Sequence, residues 1–451
     1  MKNTTDAIIL GGGIVGLFSS LYLQSKGKKV TLIEGSPSLG GLLRSFRNSD
    51  SLTYDMGTHF INKTGVQEID ELLLDDSIQQ HLHLIKEQRT SSITNGNVHT
   101  GSPFPNLNLF DDQLLTEVKN EIIDLKNKEL GSKDYANLSE EFKDMFGTSA
   151  EKYLFSPLYR KRFGVKDATE LAPSIGVIFG HRRVIAFEEA ETQELKQSPS
   201  LDHRISHHGT ESYSRKSEFF YPKSGGVQTW IDLLEQKFLK NGGEVIKETF
   251  VSQISSDGVG HYLCKLSNSH QIQTSSLIST IPPFLLAKAL NFNFTTHSAP
   301  PRWTSTSIIN LELDQNYLSD SHYIVNHDPE IDFFRATLYE NFNPRDSQTS
   351  RITVEVIAPE TTEDNQIIKK TLQELKKAKV IPDSTQIVSS KVVALEKGFP
   401  VFTSQMMQTS RKLCQSIEKE FSNISILGRH NSGKWLMGDN LIIASERLKS
   451  I

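Results

Sequence analysis

Residues 7–16 read Ala-Ile-Ile-Leu-Gly-Gly-Gly-Ile-Val-Gly, and the fold turns on this stretch. The four apolar residues suit a buried parallel strand, and the pattern from Leu17 to Ser25 suits a helix. Between them Gly11, Gly13 and Gly16 take the three fixed positions of a GxGxxG turn. Gly11 permits the tight turn, Gly13 lets backbone approach a pyrophosphate, and Gly16 lets helix and strand pack closely. The helix start at Ile14 and Val15 then offers free N–H groups to phosphate oxygens. A second strand, Lys29–Ile33, ends at Glu34, the spacing of a carboxylate that holds a ribose hydroxyl and disfavours a 2′-phosphate. Strand, glycines, helix, strand and acid in that order predict an α/β, Rossmann-like dinucleotide-binding domain.

The composition narrows the function. The chain has 451 residues, 49 basic against 54 acidic, net −5, which is not the electrostatic footprint of a nucleic-acid binder. Only Cys264 and Cys414 are present, which excludes a disulfide framework and cysteine-based zinc or iron–sulfur sites and fits a reducing, cytoplasmic compartment. The 14 histidines show no ligand spacing with carboxylates, so no metal is expected. No run reaches the roughly 18 apolar residues of a spanning helix, so no stable membrane insertion is expected.

NAD and FAD share the GxGxxG turn, and the following residues favour FAD. Gly40-Gly41-Leu42-Leu43-Arg44 supplies a second glycine pair after the acid, and Tyr54-Asp55-Met56-Gly57-Thr58-His59-Phe60 places a glycine and a histidine in a tight turn. On these motifs the chain resembles the flavoenzyme superfamily of amine oxidases, protoporphyrinogen oxidase, carotenoid desaturases and UDP-galactopyranose mutase, with a glutathione-reductase-like FAD domain. The resemblance implies that Gly41, Leu42 and Arg44 approach the FAD phosphates and ring edge. It also implies that Gly57, Thr58 and His59 lie against the isoalloxazine, with His59 a catalytic candidate. Near the C-terminus a strand Ile424–Leu427, Gly428 and a helix from about Asp439 to Leu448 resemble the closing flavin contact, with Asp439, Asn440 and Leu441 at the flavin N1/O2 edge.

Later segments resemble UDP-galactopyranose mutase more than amine oxidases. They are Ser102-Pro103-Phe104-Pro105 after a turn at Asn95-Gly96-Asn97, the run Tyr159–Gly164 with Asp167, Phe219–Gly226, and Leu277–Pro282. In Phe333–Glu340 the resemblance makes Arg335 the candidate to hold a substrate diphosphate, since the guanidinium fork fits phosphate geometry. Arg182 and Arg183 fall where a second such arginine is expected, and Tyr159, Lys161 and Trp435 are further substrate-binding candidates. One departure is that Gly433 and Trp435 stand where prokaryotic mutases carry two tyrosines.

The expected FAD domain is discontinuous, 1–75, 218–290 and 392–451, with a mixed α+β substrate region from 76–217 and 291–391 and a flexible loop at 188–216. The leading functional expectation is a flavoenzyme acting on a nucleotide-sugar-like diphosphate, as in a pyranose/furanose mutase-type isomerisation with reduced flavin. The alternative is an oxidase, dehydrogenase or desaturase of the protoporphyrinogen- or amine-oxidase kind; a catalytically silent flavin-binding subunit is a third. Each active reading needs a small-molecule substrate and a reductant or electron acceptor.

Overall fold

The structure, a computed structural model, describes residues 3–48, 52–128, 134–207, 218–294 and 302–451. The chain divides into two compact units, Met1–Leu84 with Glu218–Ala299 and Gln405–Ile451, and Ile85–Ser217 with Pro300–Ser404.

The first unit is built on a parallel sheet. Strand Asn3–Leu10 lies between Val30–Ile33 and Gln271–Ser279, with Glu244–Ile246 outside the second strand and Ile424–Ile426 on the far side of the third. Strand Gln271–Ser279 serves two partners. Its first half pairs antiparallel with Tyr262–Leu266, and its last three residues pair parallel with Ile424–Ile426. The near-continuous burial of Ala7–Leu10 and Val30–Ile33 follows from helices covering both faces. Leu17, Phe18 and Leu21 of helix Ile14–Ser25 pack with Trp230 and Leu234 of helix Gln228–Lys240 and with Leu441, Ala444 and Leu448 of helix Met437–Leu448. In register, Leu10 stands opposite Ile33 and Ser279, and Ser279 opposite Ile426, so four strands end at one level. The loops that follow therefore leave from one carboxyl edge, where open α/β sheets bind ligands.

The second unit carries a seven-stranded sheet in the order Ile387–Pro400, Trp303–Leu313, Ser350–Ala358, Phe333–Leu338, Tyr323–Asn326, Thr90–Thr94 and Asn97–Thr100. Neighbours are antiparallel except Tyr323–Asn326 with Thr90–Thr94. The hairpin at Asn95-Gly96 has φ of 49° and 72°, the left-handed pair that an Asn-Gly turn supplies.

Three boundaries and one loop differ from expectation, the middle segment of the first unit being assigned to Ala299 rather than 290. The first unit runs to Leu84, because Leu82–Ile85 joins a small sheet with Phe219–Pro222. Its last segment begins at Gln405 rather than 392, because Ile387–Pro400 is paired with Trp303–Leu313 in the other unit's sheet. In the polar stretch expected as a loop over 188–216, the described part up to His207 contains helices Glu189–Leu195 and Pro199–Asp202. Buried Leu201, Ile205 and Arg204 anchor it, the Arg204 guanidinium donating to the carbonyls of Asp144 and Ser200. Such anchors are invisible to composition. Residues 208–217 lie outside the described residues.

Candidate functional site

The carboxyl edge of the first sheet begins with Gly11 at φ +98°, a left-handed position that glycine alone adopts without strain. A Cβ on Gly11 would meet Thr280 Oγ1 at 2.6 Å, and one on Gly16 would meet the Gly11 carbonyl oxygen at 1.9 Å. Both glycines are demanded by close packing. Gly13 differs, since a Cβ there would meet nothing within 4 Å, and its side faces open space. Gly13 is also the N-cap of helix Ile14–Ser25, with no side-chain cap and no acid in the first turn. The N–H groups of Ile14, Val15 and Gly16 therefore have no intrahelical acceptor and are placed for an anion.

The rest of the edge closes on that turn. Glu34 accepts from Gly12 N at 2.7 Å with one carboxylate oxygen and from Ser36 N at 2.8 Å with the other. Each oxygen keeps a lone pair for a ribose hydroxyl. Gly40 N donates to Gly12 O at 2.8 Å, and a Cβ on Gly41 would lie 3.4 Å from Gly13 Cα, so the second glycine pair is laid against the first. Leu42 is 47% exposed. Arg44 Nε is buried without a hydrogen-bond partner among the described residues. Open backbone at Gly13, an uncapped helix start and an orphaned guanidinium nitrogen together fit a dinucleotide diphosphate.

The Asp55–Phe60 turn is held from below by a carboxylate. Asp55 is 1% exposed and accepts from Ser45 Oγ at 2.6 Å, Tyr221 Oη at 2.7 Å and Val227 N at 2.9 Å. Burial raises the Asp55 pKa against those three donors. Gly226 must be glycine, because a Cβ would stand 2.5 Å from Asp55 Oδ1. The turn continues through Gly57 at φ +109° and half-buried Thr58 to His59, whose Nε2 lies 3.3 Å from Met56 O. The role of Asp55 went unread in the sequence, since its donors lie 10 to 172 positions away.

At the far side of the edge, Gly428 takes φ +91° and leads into the short helix Arg429–Ser432. Burial alone lowers the Arg429 pKa, with no carboxylate offsetting it among the described residues. Helix Met437–Leu448 starts two residues before the expected Asp439, with Leu436 as N-cap and no side-chain cap. Asp439 falls in its first turn. Asn440 instead pins the loop, its amide donating to Lys434 O and Leu436 O while its oxygen accepts from Ser432 Oγ. Leu441 is 1% exposed in the core, so the donors open at this helix end are those of residues 437–439. Trp435 is half-buried in the loop before it.

The residues expected at a substrate lie, apart from Trp435, in the second unit, and several are packed instead. Arg335 closes its fork on Glu355, Nε to Oε1 at 2.6 Å and Nη2 to Oε2 at 2.8 Å, and lies over the Phe334 ring at 5.2 Å. Tyr159 is fully buried and its hydroxyl meets His181 Nδ1 at 2.9 Å. His181 Nε2 meets His327 Nδ1 at 3.0 Å, and His327 Nε2 meets Pro103 O at 2.8 Å. A carbonyl only accepts, so His327 Nε2 carries hydrogen, its Nδ1 accepts from His181 Nε2, and Tyr159 donates to His181 Nδ1. Burial holds His327 down to about 3 and His181 well below the ordinary histidine range. Arg183 Nε donates to Asp202 O at 2.9 Å, and Arg182 is half-buried beside it. Lys161 Nζ pairs with Asp332 Oδ1 at 2.7 Å at the rim of a cavity. Sequence reading missed Arg162, 3% exposed, which donates to Asn326 O and stacks on Phe179 at 4.8 Å.

The sequence model for the flavin containing amine oxidoreductases matches residues 14–436. Bovine protoporphyrinogen oxidase is 42% identical over 69 residues, a stretch covering 15% of this chain and 14% of that protein. Among solved structures, reduced UDP-galactopyranose mutase superposes with a TM-score of 0.76 at 17% identity, over 99% of this chain and 93% of that one. A cyclohexylamine oxidase from Brevibacterium oxydans superposes with a TM-score of 0.62 at 13% identity, over 99% of both chains. At those identities the superpositions speak for the fold alone.

Proposed function

The chain belongs to the flavin containing amine oxidoreductase family and takes FAD as its cofactor, and from that premise we propose that it is an FAD-dependent oxidoreductase. Its substrate is a small organic molecule that gives up a hydride, and a separate acceptor takes the electrons. Bound FAD supplies the two-electron chemistry. The chain supplies position. The open turn at Gly13 and the helix start at Ile14 and Val15 hold the diphosphate, and Glu34 holds a ribose hydroxyl. Asp55 fixes the Gly57–His59 turn, and the uncapped N-terminus of helix Met437–Leu448 favours negative charge at its end.

The observation that carries this reading against a nucleotide-sugar isomerisation is the closed Arg335–Glu355 pair. Glu355 is 4% exposed, so turning the Arg335 fork to a diphosphate would break two charge-assisted hydrogen bonds to a buried carboxylate. The isomerase reading draws on the likeness to the mutase structure and on the exposed edge of Arg335, 24% of whose side chain remains accessible.

The test is anaerobic. Oxidised protein is mixed with a panel of amines, porphyrinogens and polyenes while flavin absorbance is followed, and dithionite-reduced protein is titrated with nucleoside diphosphates and nucleotide sugars. Bleaching by a donor without added reductant is the expected result. Saturable nucleotide binding confined to the reduced state, with no donor bleaching the flavin, overturns the oxidoreductase assignment and restores the isomerase.

A further inference from the structure

A cavity of about 290 Å³ opens in the second unit between the end of strand Ser350–Ala358, the first two turns of helix Asp364–Lys377 and helix Ser156–Phe163. Val356, Ile357 and Ile367 form an apolar wall, and the charged lining is Lys161, Lys370 and Asp332. Asp332 is shared between the lysines, Oδ1 with Lys161 at 2.7 Å and Oδ2 with Lys370. Two ammonium groups thus face one carboxylate, a surplus of one positive charge in the lining.

The donors are not exhausted. Lys161 Nζ spends hydrogens on Asp332 and on Pro329 O at 2.6 Å and keeps a third, while Lys370 spends one and keeps two. Lys370 is 55% exposed and Lys161 34%, so both can turn toward a ligand. Behind Asp332, Glu374 accepts the Asp332 N–H with Oε1, and its Oε2 is buried without a hydrogen-bond partner among the described residues. Glu374 is not part of the cavity lining, and burial raises its pKa.

We propose that this cavity binds a small monoanion with an apolar body, a carboxylate held by Lys161 and Lys370 with its hydrocarbon part against Val356, Ile357 and Ile367. The two ammonium groups supply the anionic end of the site and the apolar wall supplies its selectivity for a ligand with a hydrocarbon body. The volume suits a ligand of several heavy atoms, and the apolar wall supplies affinity that a bare inorganic anion would not find.

The experiment is a ligand-observed NMR titration of the flavin-loaded protein with sodium hexanoate, with hexanol as the neutral control and hexyl phosphate as the dianionic one. Hexanoate is expected to bind saturably and more tightly than hexanol. Two substitutions move the affinity in opposite directions, which a general loosening of the fold would not do. Lys370→Gln removes a donor and a charge and weakens hexanoate binding about fivefold, whereas Asp332→Asn frees both lysines and strengthens it about threefold. Flavin absorbance and melting temperature are recorded for both, so failure of this site is separable from failure of the flavin assignment. If Asp332→Asn fails to fold, Lys370→Gln alone decides the matter, since that side chain is over half exposed. Hexanoate binding no tighter than hexanol, or unchanged in Lys370→Gln, overturns the proposal.

Discussion

The carboxyl edge of the first sheet and the middle of the second unit's sheet treat their arginines differently. At the carboxyl edge of the first sheet the cationic groups are left open, with Arg44 Nε unpartnered and Arg429 unopposed by a carboxylate among the described residues. In the second unit Arg335 is locked to Glu355 and Arg351 to Glu340. An arginine in a motif-like segment is therefore uninformative until its acceptors are known. A buried guanidinium whose acceptor comes from another strand is held by the fold itself, and one with no acceptor calls for a separate explanation.

Substitution of Gly16 tests the first half of that comparison most severely. Gly16→Val places side-chain atoms within the 1.9 Å separation from the Gly11 carbonyl, so the flavin-to-protein absorbance ratio should fall to background and the apoprotein should lose its cooperative melt. Gly13→Ala is its counterpart: with φ of −66° and open space beside it, the variant should keep the apoprotein's melting temperature and lose flavin affinity. Equal damage to apoprotein stability in both variants would break the distinction between a packing glycine and a ligand-facing one.

In the second unit the largest effect should come from Glu355→Ala, which strands the Arg335 guanidinium and should cost about 3–5 kcal/mol by urea unfolding. A loss below about 1 kcal/mol would show that Arg335 finds another acceptor and would reopen its assignment to a substrate diphosphate.

Acid should then act on the second unit through Tyr159, His181 and His327. The folded state holds both histidines neutral, with pKa values depressed by burial, so the unfolded chain binds more protons in the acid range. Stability from this chain of groups is complete above the ordinary histidine pKa of about 6.5 and is lost as pH falls from there toward about 3. Arg162 adds to the cost, because its charge opposes protonation of both rings. Urea midpoints at about pH 7 and pH 5 should separate more for the native chain than for His327→Gln, and equal separation would show that other groups govern the acid limb.

The smallest expected effect is at Asp55. Asn in its place keeps the shape but turns an amide donor toward one of three donors, which should cost about 1–3 kcal/mol and loosen the Gly57–His59 turn. An unchanged melting temperature together with unchanged flavin fluorescence would remove Asp55 from the group of residues that position the site.

The parts legible in the sequence are those whose physics is local. GxGxxG, Glu34 and the Asn95-Gly96 turn act through backbone dihedrals, helix ends and fixed short spacings, which a one-dimensional reading captures. The Asp439–Leu448 helix was legible to within two residues, and its missing cap residue explains the shift in its start. By contrast, Arg335, Tyr159 and the segment 188–202 depended on partners supplied across the sheet or across many turns: Glu355, His181 with His327, and the carbonyls around Arg204. Sequence alone determined a dinucleotide-binding α/β unit, because its turn is set locally, by the left-handed dihedral of Gly11 and the contact of Gly16 with the Gly11 carbonyl five positions before it. Only the tertiary structure decided which cations are already neutralised and which remain for a ligand, because a charge's partner is chosen by distance in space and by the cost of leaving it buried alone.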